Sequence, residues 1–95
     1  MTNGRTIAIA KRLDEMTKPD FGGAPDAGFV AEVQCLANEL RGLVLDASLR
    51  GRISSLVTGV EEACSMRRWR ALGIDKVRIH VRQDVYEILG AADAE

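Results

Sequence analysis

Apolar residues recur at spacings of three and four along most of this chain, the period of helices with one face turned inward. Between Asn3 and Thr17, Ile9, Leu13 and Met16 share a face, and Asn3 stands where a helix cap is needed. Ile7 and Ile9 also alternate with Ala8 and Ala10, so a short strand over Thr6–Ala10 competes with the helix, which is longer and better patterned. Lys18–Pro25 holds two prolines and two glycines and reads as a loop. Asp26 then caps a second helix, where Phe29, Val33, Leu36, Leu40 and Leu43 form a stripe with Glu32 and Arg41 off it. A third helix starts at Asp46 or Ser48, carries Leu49, Ile53, Leu56, Val60 and Ala63 at heptad spacing, and stops at Gly73, after Leu72. Gly51 costs a helix interior about 1 kcal/mol relative to alanine, so it also reads as the turn. Two adjacent amphipathic helices with a tight connection make an antiparallel hairpin, which sets Cys35 and Cys64 at similar heights as small buried thiols.

The last segment fits two periods. Val77, Ile79 and Val81 alternate with Arg78, His80 and Arg82, as in a half-buried strand. Ile74, Val77, Val81, Val85 and Ile88 equally satisfy a helix, with Asp75 as its cap. The β-branched run and the cations at the would-be helix start favour a strand over Val77–Arg82. A short helix over Asp84–Leu89 follows, stopped by Gly90. The expected fold is therefore mainly α: an N-terminal helix, a long antiparallel helical hairpin, and a C-terminal β-strand with a short final helix. The alternative is all-α. Residues 1–95 make one domain, frayed at 1–3 and 91–95. A lone strand exposes unpaired backbone groups, and a small aliphatic core gains burial from a second copy, so both point to a homodimer.

Composition narrows the setting. Phe21, Phe29, Trp69 and Tyr86 are the only aromatics, so the core must be built from Leu, Val, Ile and Ala. The first dozen residues hold no long apolar run and no stretch reaches the ~20 apolar residues of a membrane span, so neither a secretory leader nor a membrane partner is expected. A cytoplasmic location with reduced thiols follows. Arginine outnumbers lysine ten to three and alanine is abundant, which suggests a GC-rich bacterial genome.

The sequence offers little for bond-making chemistry. Phe21-Gly22-Gly23-Ala24-Pro25 precedes a helix, but Pro25 removes a donor, Asp26 puts a negative charge at the cap, and no Gly-Lys-Ser/Thr follows as in a P-loop. One histidine and two distant cysteines do not make a zinc site, so no metal or cofactor is expected. Asp14–Glu15 and Glu61–Glu62 are successive helix positions that diverge and cannot flank one bond. A dyad of Cys64 and His80 would need an electropositive, exposed thiol, which nothing marks. The chain reads as a non-enzyme.

Charge placement carries the functional colour. The net charge is −1, yet Arg67, Arg68, Arg70, Lys76, Arg78 and Arg82 face only Asp75 across Arg67–Arg82, a local excess of five that leaves −6 for the remainder. Arg67, Arg68, Trp69 and Arg70, joined by the row Arg78, His80 and Arg82, form a candidate partner-binding region, with Phe21 either plugging the core edge or anchoring a partner. The expected function is a non-enzymatic interaction or regulatory module, homodimeric, that docks an acidic protein surface through this region. The alternatives are a nucleic-acid-binding regulator using the same arginines, and a small inhibitor or accessory protein of a phage or mobile element.

Overall fold

The amphipathic stretches form four helices, α1 (Gly4–Met16), α2 (Ala27–Leu43), α3 (Ala47–Ala63) and α4 (Gly73–Asp93). The computed structural model describes residues 4–18, 21–23, 25–64 and 73–93, with no side chain described for residue 93. The proposed Asn3 cap lies outside these residues, as do Arg67, Arg68, Trp69 and Arg70.

Two aspartates set the helix starts. The Asp26 side chain accepts from Phe29 N–H at 3.0 Å and Asp46 from Leu49 N–H at 2.8 Å, each satisfying a donor left over in the first turn. Val44–Asp46 leave α2 and α3 only a three-residue turn, which forces them antiparallel. Arg5 pairs with Glu39 and Arg12 with Glu32, so seven residues along α1 match seven back along α2. Arg52 meets Asp84 across α3 and α4, and Arg82 meets Asp14 across α4 and α1. Each helix therefore packs on its two neighbours in an up-down-up-down four-helix bundle, with α3 against α4 the most extensive interface.

The core is aliphatic. Ile9 and Leu13 of α1, Val33 and Leu40 of α2, Ile53, Leu56 and Val60 of α3, and Val81, Val85 and Ile88 of α4 are fully buried. Gly59 lies so close to Val81 that a Cβ there would overlap Val81 Cγ2, which brings the α3 and α4 backbones together. In α2 the buried line is Val30, Val33, Ala37 and Leu40, rotated from the expected stripe, and Leu43 is exposed while Val44 turns in.

The mainly helical fold holds, in its all-α form. The C-terminal strand is overturned: Val77–Arg82 is continuous helix within α4, and no strand occurs among the described residues. A helix buries Val77, Val81, Val85 and Ile88 on one line, each worth about 1.5–3 kcal/mol. β-Branched residues cost a helix less than ~0.7 kcal/mol each, so burial decides. With the strand goes its unpaired edge as a ground for dimerisation. Over Thr6–Ala10 the better-patterned helix is what forms, as part of α1, and the competing strand does not. The separate helix over Asp84–Leu89 and fraying from Ala91 are corrected too, because α4 runs through Gly90 to Asp93 and buries Ala92 against the bundle. Gly51 sits inside α3, which ends at Ala63 with Cys64 as its cap, and Gly73, at φ +78°, opens α4 instead of closing α3. Cys64 is buried, but Cys35 is exposed on α2.

Candidate interaction surface

Helix α4 has two unlike faces. The inner face is the valine and isoleucine line of the core. The outer face repeats at spacings of 4, 3 and 4 through Ile79, Gln83, Tyr86 and Gly90, all solvent-exposed. Ile79 is 57% exposed and Tyr86 77%, which makes them two of the four large apolar side chains that the described residues leave in solvent. A groove runs along this face, lined by Ile79, Gln83, Tyr86 and Glu87, with Asp75, Arg78 and Arg82 along its α1 side and Arg52 from α3 at the other.

The flank towards α1 carries Arg78 and Arg82, and both guanidinium groups turn inward. Arg82 Nη2 donates to Asp14 Oδ1 at 2.8 Å, while Nη1 reaches the carbonyls of Asp14 at 3.2 Å and Thr17 at 3.1 Å. It thus caps the end of α1, where helix carbonyls lack internal partners and carry partial negative charge. Hydrogen bonding to Arg82 holds the Asp14 carboxyl below the usual carboxylate range, and the charges of Arg82 and Lys18 act in the same direction. Thr17 is fully buried beneath this contact, and its hydroxyl donates to Leu13 O at 2.7 Å.

Arg78 does the same for the loop between α1 and α2. Its Nε donates to Phe21 O at 2.7 Å and its Nη1 lies 3.6 Å from Asp75. Phe21 is buried and stacks on Phe29 with ring centroids 6.1 Å apart. Gly23 N–H donates to Ala63 O at 2.7 Å, and Gly22 at φ +75° passes so close to Ala63 that a Cβ would stand 2.8 Å from it. Phe21 is therefore a plug at the bundle edge, in a loop fastened by α3 and by Arg78.

The flank towards α3 differs. His80 is exposed, and Lys76 and Glu87 are exposed with no ion-pair partner among the described residues. Arg52 leans on Asp84 at 3.4 Å, a carboxylate otherwise buried. The row Arg78, His80 and Arg82 thus does not act as one basic strip: the two arginines project to one flank and into the fold, and His80 projects to the other. Arg67, Arg68, Trp69 and Arg70 precede this helix in the chain, outside the described residues.

Two features lie away from this face. At the opposite end of the hairpin, Leu45 is 90% exposed beside an apolar opening lined by Leu43, Val44, Leu49 and Ala92. Burial, and secondarily the charge of Asp26, pushes the Cys64 thiol up, away from the thiolate that nucleophilic chemistry needs. The described residues contain no group of three or more His, Cys, Asp or Glu side chains able to hold a metal, and none of their helices is long and apolar enough to cross a membrane.

A strand over Val77–Arg82 would turn Ile79 inward and hides the outward stripe of Ile79 and Tyr86. The signal was present in the competing period, because both fall outside the line Ile74, Val77, Val81, Val85 and Ile88. Comparison with protein families, curated proteins and solved structures finds no match.

Proposed function

We propose that this chain is a non-enzymatic protein-binding module that docks through the outer face of α4. The observation that carries it is the pair Ile79 and Tyr86, set on one stripe of a rigid helix and left in solvent. An apolar centre with an aromatic, rimmed by charged and amide groups, is the composition of a protein interface. Here the rim is Arg52, Asp75, Arg78, Arg82, Gln83 and Glu87. The arginines at 67, 68 and 70 lead into this helix and add a positive field that favours an acidic partner. A reducing, cytoplasmic setting suits the two free thiols.

The same geometry counts against the nucleic-acid reading. Arg78 and Arg82 are committed to carbonyl and carboxylate oxygens of their own fold, which removes two of the cations that phosphate binding would use.

The test is site-specific photo-crosslinking in cells, with a benzophenone side chain replacing Tyr86. A discrete adduct from position 86 and none from exposed Cys35 on α2 is the expected result. Absence of any adduct from position 86 would refute docking through α4. A gel shift with mixed-sequence duplex at low salt would restore the nucleic-acid reading.

A further inference from the structure

We infer that the partner of the α4 outer face is the same face of a second copy, laid antiparallel about a two-fold axis between Arg82 and Gln83. This rests on the docking reading above and names its occupant. A two-fold contact must be self-complementary, with each residue meeting its counterpart across the axis. About that centre, Ile79 falls opposite the partner's Tyr86 and Tyr86 opposite the partner's Ile79, so the exposed apolar pair covers itself twice over. Gln83 meets its own copy, and two side-chain amides can exchange hydrogen bonds.

Charge fits the same register. In an antiparallel pair about such an axis, residues on the α3 flank of one helix meet the α3 flank of the other. Lys76 and Glu87 both lie on that flank and are exposed. The axis brings Lys76 within side-chain reach of the partner's Glu87, and the pair forms twice. On the α1 flank Arg82 approaches its own copy, but each guanidinium is already offset by Asp14 at 2.8 Å. Two copies of one helix face make a contact at the small end of specific interfaces, which implies weak, reversible association.

The experiment is sedimentation equilibrium across a concentration series on the intact chain, with helicity by circular dichroism as the fold control. The wild type should fit a monomer–dimer equilibrium, and Tyr86→Ala should weaken it about ten-fold or more with helicity unchanged. Lys76→Glu and Glu87→Lys should each weaken self-association several-fold, whereas an equimolar mixture of the two should recover it, because each then supplies the charge the other lacks. A chain that stays monomeric to about 1 mM overturns the proposal, and so does a dimer indifferent to Tyr86→Ala or to the charge reversals. If a monomeric chain still yields an adduct with a different protein from position 86, the self-partner falls while docking through α4 stands. If no adduct forms at all, both fall.

Discussion

Two glycines in the same helix provide a sharp test of the packing. Gly51 and Gly59 both lie within α3, so replacing either by alanine should gain the same helix propensity, about 1 kcal/mol. Their surroundings differ. A Cβ on Gly51 meets nothing within 4 Å. A Cβ on Gly59 lands inside the envelope of Val81 Cγ2, with Val81 Cβ at 3.8 Å. Val81 cannot turn away cheaply, because it is fully buried and a β-branched side chain in a helix has one strongly preferred rotamer. Overpacking of this kind costs about 1–3 kcal/mol, which cancels or exceeds the propensity gain. Gly51→Ala should therefore be stabilising, Gly59→Ala neutral to destabilising, with a gap of about 1–3 kcal/mol between them. In a domain of this size each kcal/mol moves Tm by roughly 4–8 °C, so thermal melts by circular dichroism resolve the gap. Adding Val81→Ala should cost less in the Gly59→Ala background than in the wild type, since the two sites share one space. If Gly59→Ala raises Tm as much as Gly51→Ala, the close crossing of α3 and α4 is wrong.

Three further outcomes follow from local geometry. Replacing Arg82 by Met should destabilise the fold by about 1–3 kcal/mol at neutral pH, through lost charge-assisted bonds to Asp14 and the end of α1, as read from urea midpoints. The Asp14 carboxyl is depressed in the fold, so its contribution is complete above its unfolded value near ~3.9 and fades as pH falls through the lower folded value; the gap between wild type and Arg82→Met should begin to narrow below about pH 4, down to the share carried by the bonds to the Asp14 and Thr17 carbonyls, and a gap that does not change with pH in acid would refute the carboxylate pairing. Cys35 should react with iodoacetamide in the native protein and Cys64 only on unfolding, as followed by intact mass, because one thiol is exposed and the other buried and pushed up. Asp26→Ala and Asp46→Ala should each cost about 0.5–2 kcal/mol in urea titration, and loss of neither would show that the caps are not formed.

Legibility of the sequence varied with how well each helix announces its ends. In α3, Ile53, Leu56, Val60 and Ala63 are buried as their spacing predicts. Both aspartate caps were readable because a carboxylate before an apolar run has one obvious use. In α2 the stripe was shifted, since spacing was scored on large side chains while small Ala37 occupies the centre of the packed face and Phe29 serves the loop plug. The strand over Val77–Arg82 came from giving weight to β-branching over six residues, when the helical line extends through fifteen. Periodicity over a longer span is the stronger evidence, because every added turn buries another side chain. Phe21 fits two roles by sequence alone, and its burial beside Phe29 depends on Gly22 and Gly23 letting the loop close on Ala63, a tertiary contact that no local pattern encodes.

The arginines show why a charge count misleads about surfaces. A local excess of five positive charges suggests a basic patch, yet a guanidinium carries five donors on a long stem and can satisfy carbonyls that a helix end leaves open. Arg82 does this for α1 and Arg78 for the loop carrying Phe21, so both stabilise the fold from which they seem to project. Their positions in the sequence cannot reveal it, because the carbonyls they satisfy lie 56 to 68 residues away. An exposed aromatic has no comparable internal use. Tyr86 is 77% exposed and belongs to no part of the core formed by the described residues, and Ile79 lies one heptad behind it on the same line. The apolar stripe, more than the arginines beside it, is therefore the feature of α4 that intramolecular packing leaves unexplained and that association with another surface would account for.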